Sequence, residues 1–521
     1  MFVVPAAVLI LSFLAKNSRT PYWGNPDPTY QYLFCSLHIL NGITPSHTDH
    51  PGTTVQMLGA LVLKLMHPFS SGQDIAGFVI DDPEGHLYAM NSFFVICHVL
   101  TVFLLGWYAY KKSNDLFMAV LLQAVPALRF LGSVYEMTFM QPEIFHYTVL
   151  NMYVSCLVKL YYDKSKMDFY WTAVLSGFAC GIGVATKVTM IPLFFAPLIL
   201  LPRWKTKLVF AVSSLAFFIL ATLPIISVYG RMLDWLYKIA FKSSPSMHGA
   251  PQPFVVGKEF LGNLTAIIPA NDVIFQWIGC GLVVLFARYL FILVLQRKEQ
   301  MPQINKAAYF IFAVLLVMML QISMVAKYPA RHYLIPTYGL TGALLFFVFE
   351  LFGSSKLRSV AIIVFLMVFV VPEAGSRGRS YQAVAEESRK VLREKLAFHE
   401  NVEHKYSQCY FVYASGCSHL LWALNWGDHW HTYMKFGDIL KEKYPYALFY
   451  DLWEREIHDF SQKGPVEEVY SLLRRKSDCI LLQAGCSNYG HFARVMDLEL
   501  KEKQDAECIY KVKGMQDPRY W

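Results

Sequence analysis

Two polar segments near the start of the chain combine residues that can do acid and base chemistry. The segment Asn25–Tyr30 reads Asn-Pro-Asp-Pro-Thr-Tyr, and the segment His47–Gly52 reads His-Thr-Asp-His-Pro-Gly. Proline restrains its own backbone and that of the residue before it, so Asp27 presents its carboxylate at a defined place. Asp49 and His50 bring a carboxylate and a titratable imidazole to the start of an apolar helical segment, where anions are favoured. Asp27 and Asp49 are therefore candidate bases.

Each segment also has an ordinary structural interpretation. Asp and Pro are common turn residues, so Asp27 can serve only to shape a turn. Asp49 or the threonine before it can cap the helix that follows, with His50 present by chance. The sequence by itself leaves these alternatives open.

The elements that must position these residues are membrane helices. The chain has 521 residues, of which 55% are hydrophobic and 16% charged, whereas about 25% are charged in an ordinary soluble domain. This apolar surface is too large for one water-soluble core, and the apolar runs recur at near-regular intervals. We expect an α-helical polytopic membrane protein of about eleven transmembrane helices. The runs are residues 2–15, 87–109, 115–132, 141–162, 169–185, 188–202, 208–229, 273–296, 307–327, 333–353 and 358–373.

The net charge of +8 reports orientation rather than nucleic-acid binding, because it is spread over short connecting loops. If the N-terminus is cytoplasmic, every inside loop is basic, as the positive-inside rule requires. The basic residues of these loops are Lys111, Lys112, Lys164, Lys166, Arg203, Lys205, Lys207, Arg297, Lys298, Lys356 and Arg358. The same count places residues 16–86, residues 230–272, the turn at Tyr328–His332 and the chain after about residue 374 outside. Both candidate bases then face the extracytoplasmic side.

The first outer loop, residues 16–86, has helical apolar spacing at Tyr30–Phe34 and at Val55–Val62. Two amphipathic helices lying in the membrane interface fit this spacing. The first apolar run lacks the basic leader and cleavage site of a signal peptide, so we interpret it as a retained helix.

We divide the chain into a transmembrane domain, residues 1–373, and an extracytoplasmic domain, residues 374–521. The tail has a charged helical stretch at Gln382–Glu400 and strand-like runs at Cys409–Tyr413 and Cys479–Leu482. A small α/β domain is typical of such a pattern.

The tail also contains five cysteines whose spacings are too wide for the usual zinc pairs. In an oxidising compartment they can form one or two disulfides, and buried core cysteines are the alternative. The odd number leaves at least one thiol unpaired. These cysteines are Cys409, Cys417, Cys479, Cys486 and Cys508.

The acidic residue after the first helix, followed by Asp49-His50-Pro51-Gly52, resembles the first outer loop of the GT-C glycosyltransferases. In their protein O-mannosyltransferase branch the pattern is an acidic residue followed by a His-Pro-Pro stretch. Gly52 replaces the second proline here. The aminoarabinose transferases belong to the same superfamily.

Three further segments follow in the order that this superfamily shows. Gly181–Lys187 resembles its glycine-rich helix ending in Thr-Lys, and Pro329–Pro336 resembles its Arg-Tyr-Leu-x-Pro segment. Glu143 opens the fourth helix, where the family often has an acidic residue. The resemblance covers roughly residues 1–350, and the tail matches only in its predicted extracytoplasmic location.

The resemblance implies an enzyme that takes a sugar from a dolichyl or undecaprenyl phosphate and joins it, with inversion, to an acceptor hydroxyl at the outer face. The lipid phosphate departs as a stable anion, so the reaction needs a base but no strong acid. Asp27 matches the family's catalytic position, and Asp49 is its competitor. A glycan, a lipid or a protein acceptor is compatible with the resemblance, and cell-envelope glycan synthesis is the expected process. We expect a bacterial inner membrane, with the endoplasmic reticulum as the alternative.

The resemblance also assigns substrate-binding roles. Lys187 and Arg331 are expected to hold the donor phosphate, although cations at this level can instead reach lipid phosphates. His50 can bind phosphate or orient Asp49.

His332 and Tyr333 can line the sugar pocket. Glu143 is the last expected substrate-binding residue, although an acid at the start of a helix can instead serve only to interact favourably with the helix dipole. No cofactor is assigned. A divalent metal held by Asp49, His50 and His248 is compatible with these residue types, but no local spacing demands one.

Two other classes remain as alternatives. A transporter of lipid-linked substrates would place ionisable residues near the middle of the membrane and often shows repeated halves. A lipid-linked glycan polymerase or ligase shares the outer face and basic loops, but does not predict the pairing of Asp27 with the Asp49–Pro51 segment.

Overall fold

The structure is a computed structural model that describes most of the chain. The described residues are 1–19, 21–49, 51–129, 138–241, 258–270, 275–279, 281–283, 286, 302–326, 331–351, 355–429, 435–451, 456–460, 479–494 and 496–515.

The chain forms two compact units, each assembled from separate stretches of sequence. Unit 1 comprises Met1–Asn17, Thr48–Val55 and Asn91–Gln382. Unit 2 comprises Ser18–His47, Gln56–Met90 and Ala383–Trp521, so it joins most of the predicted first outer loop to the tail. The predicted domain boundary after residue 373 stays a prediction.

Most described residues are helical, as the sequence predicted. The α-helices are α1 (Val3–Asn17), α2 (Thr29–Leu40), α3 (Thr53–Met66), α4 (Gly72–Asp81), α5 (Pro83–Ser113), α6 (Leu116–Ala124), α7 (Pro142–Tyr162), α8 (Lys166–Thr186), α9 (Phe195–Leu200), α10 (Trp204–Ala221), α11 (Tyr229–Phe241), α12 (Lys258–Ala270), α13 (Pro302–Val325), α14 (Ile335–Phe349), α15 (Ser355–Phe365), α16 (Val371–Lys405), α17 (Leu420–His429), α18 (Gly437–Lys443) and α19 (Tyr489–Phe492). Short 3₁₀ helices lie at Tyr22–Gly24, Val188–Phe194, Leu223–Val228, Arg331–Leu334 and Cys486–Asn488. Single π-helical turns lie at Val125–Arg129 and Leu366–Val370.

Among the described residues, six helices are long and apolar enough to cross a membrane. The chain is therefore an integral membrane protein. The count of eleven spans stays a prediction, and much of the run 273–296 lies outside the described residues. The six are Pro83–Ser113, Lys166–Thr186, Trp204–Ala221, Lys306–Val325, His332–Phe349 and Lys356–Lys405, and shorter apolar helices cover Val3–Asn17, Thr53–Met66, Leu116–Leu128 and Val188–Leu200.

In unit 1, helices α8 and α10 approach closely through two glycines one turn apart. A Cβ on Gly177 would lie 2.9 Å from the carbonyl oxygen of Phe210, and one on Gly181 would lie 2.4 Å from that of Ser214. Small residues at such spacing let helix backbones pack directly in a membrane. This contact fixes α8, whose last turn carries Thr186 and leads to Lys187.

The tail forms a mixed six-stranded sheet, which confirms the predicted α/β character. The two predicted strands become β1 and β4, which pair in parallel at the centre. Helix α16 covers one face, where Val402 packs with Leu481 and Ile509. The strands are β1 (Tyr410–Ala414), β2 (Leu448–Tyr450), β3 (Ile457–His458), β4 (Ile480–Gly485), β5 (Met496–Gln504) and β6 (Glu507–Met515), in the order β3-β2-β1-β4-β6-β5.

Two disulfides cross-link this sheet, and the registers of β1 with β4 and of β4 with β6 explain both. Tyr410 pairs with Ile480, so Cys409 and Cys479 meet just before the two strands and form a bond. Gly485 pairs with Glu507, which brings Cys486 beside Cys508 for the second bond. Cys417 is a buried free thiol.

Replacement of Gly181 by alanine is expected to destabilise the protein by about 1–3 kcal/mol, the usual cost of overpacking a close contact. Gly183→Ala is the matched control, because its new methyl would meet the flexible end of Met190 at 3.2 Å. Thermal unfolding in detergent measures both. Equal melting temperatures for the two variants would contradict the close packing.

Mass spectrometry of the non-reduced protein is expected to recover peptides linked through Cys409–Cys479 and Cys486–Cys508. Cys417 is expected to react with an alkylating reagent only after unfolding, since its side chain is 3% exposed. Free thiols at the four bonded positions in natively expressed protein would disprove this pairing.

Candidate active site

Four of the sequence motifs meet in unit 1, around the end of helix α8. Pro51 forms an isolated antiparallel bridge with Lys187, and the Gly52 amide donates to the carbonyl of Thr186 at 3.2 Å. The hydroxyls of Thr54 and Thr186 lie 2.7 Å apart. The segment from Pro51 to Thr54 therefore runs beside Thr186 and Lys187.

The backbone at Gly52 explains why this chain departs from the His-Pro-Pro pattern. Gly52 has φ +73°, a left-handed conformation that glycine adopts without steric cost. Proline is locked near −65° and cannot adopt it. The turn that brings the loop onto Lys187 therefore requires a residue other than proline at this position.

Lys187 and Glu143 form a buried ion pair. Glu143 lies in the first turn of α7, and Lys187 follows the last residue of α8. Their side chains are 3% and 4% exposed, and the Lys187 ammonium donates to the Glu143 carboxylate. Lys187 therefore does not reach out to lipid, contrary to one alternative that the sequence left open. An ionisable pair buried in a membrane protein marks a candidate functional site.

Tyr333 brings the predicted Arg-His-Tyr segment to the same pair. The Lys187 ammonium lies 4.4 Å from the centroid of the Tyr333 ring, within cation–π range. The His332 ring lies 4.2 Å from that of Tyr333. The amide of Gln321 in α13 donates to the Tyr333 carbonyl at 3.0 Å, which holds this turn in place. The Arg331 side chain and His50 lie outside the described part of the chain.

The structure adds His146, which sequence reasoning missed. His146 is fully buried, lies one turn after Glu143 on α7, and interacts electrostatically with Glu143, Lys187 and His332. Neither ring nitrogen has a hydrogen-bond partner among the described residues. A histidine three residues after a helix-opening acid shares its face, and that spacing was the available signal.

The two candidate bases fall in different units. Asp27 belongs to unit 2, and its side chain is exposed in the turn before α2, where the bond to Pro28 is cis. Asp49 belongs to unit 1 and is half-buried just before the Pro51–Lys187 bridge. The assignment of the base to Asp27 stays a prediction.

Within the described residues, no group of three or more His, Cys, Asp or Glu side chains could hold a metal ion. Two of the three residues considered for a divalent ion, His50 and His248, lie outside that part of the chain.

No protein-family profile matches the sequence, and no curated protein matches it. Among solved structures, ArnT from Cupriavidus metallidurans in the apo state aligns with a TM-score of 0.52 and 11% identity over 98% of this chain and 97% of that chain. The same protein bound to undecaprenyl phosphate aligns at 0.47 and 12% identity over 98% and 97%. The Archaeoglobus fulgidus oligosaccharyltransferase, solved with zinc and sulfate, aligns at 0.41 and 11% identity over 97% and 73%.

The alignment with apo ArnT extends over nearly the whole of both chains. The chain therefore has the GT-C fold that the sequence motifs predicted.

Removal of either member of the buried pair is expected to cost about 3–5 kcal/mol, because one charge is left without its partner. We expect Glu143→Gln and Lys187→Met each to lower the melting temperature in detergent. The double variant should lie closer to wild type, since it buries no lone charge. If the two single losses simply add in the double variant, the pair does not act as a unit.

Proposed function

We propose that this protein transfers a sugar from a polyprenyl-phosphate donor to an acceptor hydroxyl, by a single inverting displacement at the extracytoplasmic face of the membrane. The observation that carries the proposal is the meeting of the Pro51–Thr54 segment, Glu143, Lys187 and Tyr333 in unit 1. These are the motifs in which the sequence resembles the GT-C glycosyltransferases. The shared fold with apo ArnT supports the same reaction class.

In the proposed reaction the acceptor oxygen attacks the anomeric carbon while the bond from that carbon to the phosphate oxygen breaks. The bonding electrons leave with the polyprenyl phosphate, and Asp27 takes the hydroxyl proton. Asp27 suits this role because its exposed carboxylate follows one proline and precedes another. Asp49 remains the competing base.

Lys187 is proposed to stabilise the negative charge that develops on the leaving phosphate. An ammonium group has three N–H donors, and the contact with Glu143 uses one. Lys187 can therefore bind a phosphate oxygen while Glu143 holds it under the Tyr333 ring. Arg331, His50 and His332 are proposed to complete the donor site.

Two observations support the extracytoplasmic location of the reaction. Disulfides persist mainly in oxidising compartments, and the tail contains two. Residues 18–47, which include Asp27, pack with that tail in one compact unit. A bacterial inner membrane with an undecaprenyl phosphate donor is the proposed setting.

The test is sugar transfer by the purified full-length protein in lipid, supplied with radiolabelled polyprenyl-phosphate hexoses and pentoses and a host membrane extract. We expect transfer from one donor, with a loss on the order of 10²–10⁴-fold in Asp27→Asn if it removes the general base. Asp497→Asn is the matched control, because Asp497 is an exposed carboxylate of strand β5.

Asp49→Asn separates the two candidate bases. A loss confined to Asp49→Asn would move the role of base to Asp49 and leave the reaction class intact. If the folded wild type transfers sugar from no donor, the proposed function is wrong. A lipid-linked glycan polymerase or ligase, or a transporter of lipid-linked substrates, then becomes the favoured function.

A further inference from the structure

The Glu84 carboxylate in unit 2 accepts three hydrogen bonds from residues far away in sequence. The backbone amides of Tyr22 and Trp23 donate to it at 2.8 and 3.0 Å. The hydroxyl of Tyr30 donates at 2.9 Å. A half-buried carboxylate with three such donors is strongly held.

Helix α5, on which Glu84 lies, does not need these three hydrogen bonds for its start. Helix α5 starts at Pro83, a favoured first helical residue, and the Asp82 carboxylate accepts the Gly85 amide at 2.9 Å. The start of α5 is therefore already capped by Asp82. If Glu84 served only to offset the dipole of α5, it would not need to contact residues 22–30.

The three donors lie on both sides of Asp27. Tyr22 and Trp23 open the 3₁₀ turn that precedes it, and Tyr30 lies in the first turn of α2, which follows it. A backbone hydrogen bond also closes the turn itself, because the Tyr30 amide donates to the Pro26 carbonyl at 2.8 Å. Glu84 thus ties both ends of the short turn that carries Asp27 to the start of α5.

The surrounding groups keep these bonds in place. Burial, together with the nearby Glu84 carboxylate, holds the pKa of Tyr30 well above its ordinary value, so its hydroxyl stays protonated and remains a donor. The Arg19 guanidinium lies 3.3 Å from the centroid of the Tyr22 ring and interacts electrostatically with Glu84. Arg19 thus supplies a positive charge near the Glu84 carboxylate.

We propose that Glu84 is a positioning residue for Asp27, which holds the Asp27 turn in its reactive arrangement through Tyr22, Trp23 and Tyr30. This inference rests on the proposed function and adds a residue to it. Misplacement of a reacting group by about 1 Å can cost on the order of 10²-fold in rate.

The test compares wild type, Glu84→Gln and Tyr30→Phe in the sugar-transfer assay, with kcat and the donor KM determined separately. Glu84→Gln replaces one carboxylate oxygen by an NH2 group, so either the Tyr22 or the Trp23 amide loses its acceptor. We therefore expect kcat to fall at least about tenfold with the donor KM within about twofold. Tyr30→Phe removes one bond and should give a smaller loss. Glu84→Asp restores the charge and should recover part of kcat.

Asp74→Asn is the matched control. Asp74 is also a unit 2 carboxylate at the start of a helix, but among the described residues its hydrogen bonds are with the neighbouring Ser71. It should leave kcat unchanged. Hydrogen exchange gives a readout independent of activity, and Glu84→Gln should speed exchange at the amides of Tyr22 and Trp23.

The outcomes separate this inference from the proposed function. An active wild type with an unchanged kcat in Glu84→Gln overturns the positioning role and leaves the function standing. Equal losses in Glu84→Gln and Asp74→Asn also overturn it, because they indicate general damage to unit 2. A folded wild type that transfers no sugar overturns both.

Discussion

The buried ion pair of Glu143 and Lys187 is the interaction on which the membrane unit depends. Two charges taken out of water are costly, and they are tolerated only when each is held against the other in good geometry. The pair therefore restrains the start of α7 and the end of α8 at the same time. It also sets where the Pro51–Thr54 segment and Tyr333 can lie, because both contact Lys187 or the residue before it.

This arrangement reconciles a buried lysine with a proposed role in phosphate binding. A buried ammonium is tolerated when it is paired, and Lys187 contacts both the Glu143 carboxylate and the face of the Tyr333 ring. In the proposed function Glu143 holds the Lys187 ammonium and is not a second acid. The fully buried His146 extends the same polar cluster by one helical turn.

In unit 2 the carboxylate of Asp27 is exposed, and the residues around it restrain its backbone. The turn around Asp27 is held by hydrogen bonds to Glu84 and by the burial of Tyr22, Trp23 and Tyr30 on its two sides. Helix α2 is anchored on α17 of the tail, where Gly427 lets the Phe34 ring approach closely. Helix α17 of the tail thus supports a loop that is distant from it in sequence.

The sequence by itself determined the membrane class, the main helices, the α/β tail and most of the motif residues, because apolar periodicity and proline or glycine placement are local properties. Tertiary structure alone decided that Lys187 pairs with Glu143 and that Glu84 accepts hydrogen bonds from both sides of the Asp27 turn. It also decided which cysteines bond, since that follows from the register of β1 with β4 and of β4 with β6. Contacts between residues tens to hundreds of positions apart depend on how helices and strands pack, and no local pattern encodes them.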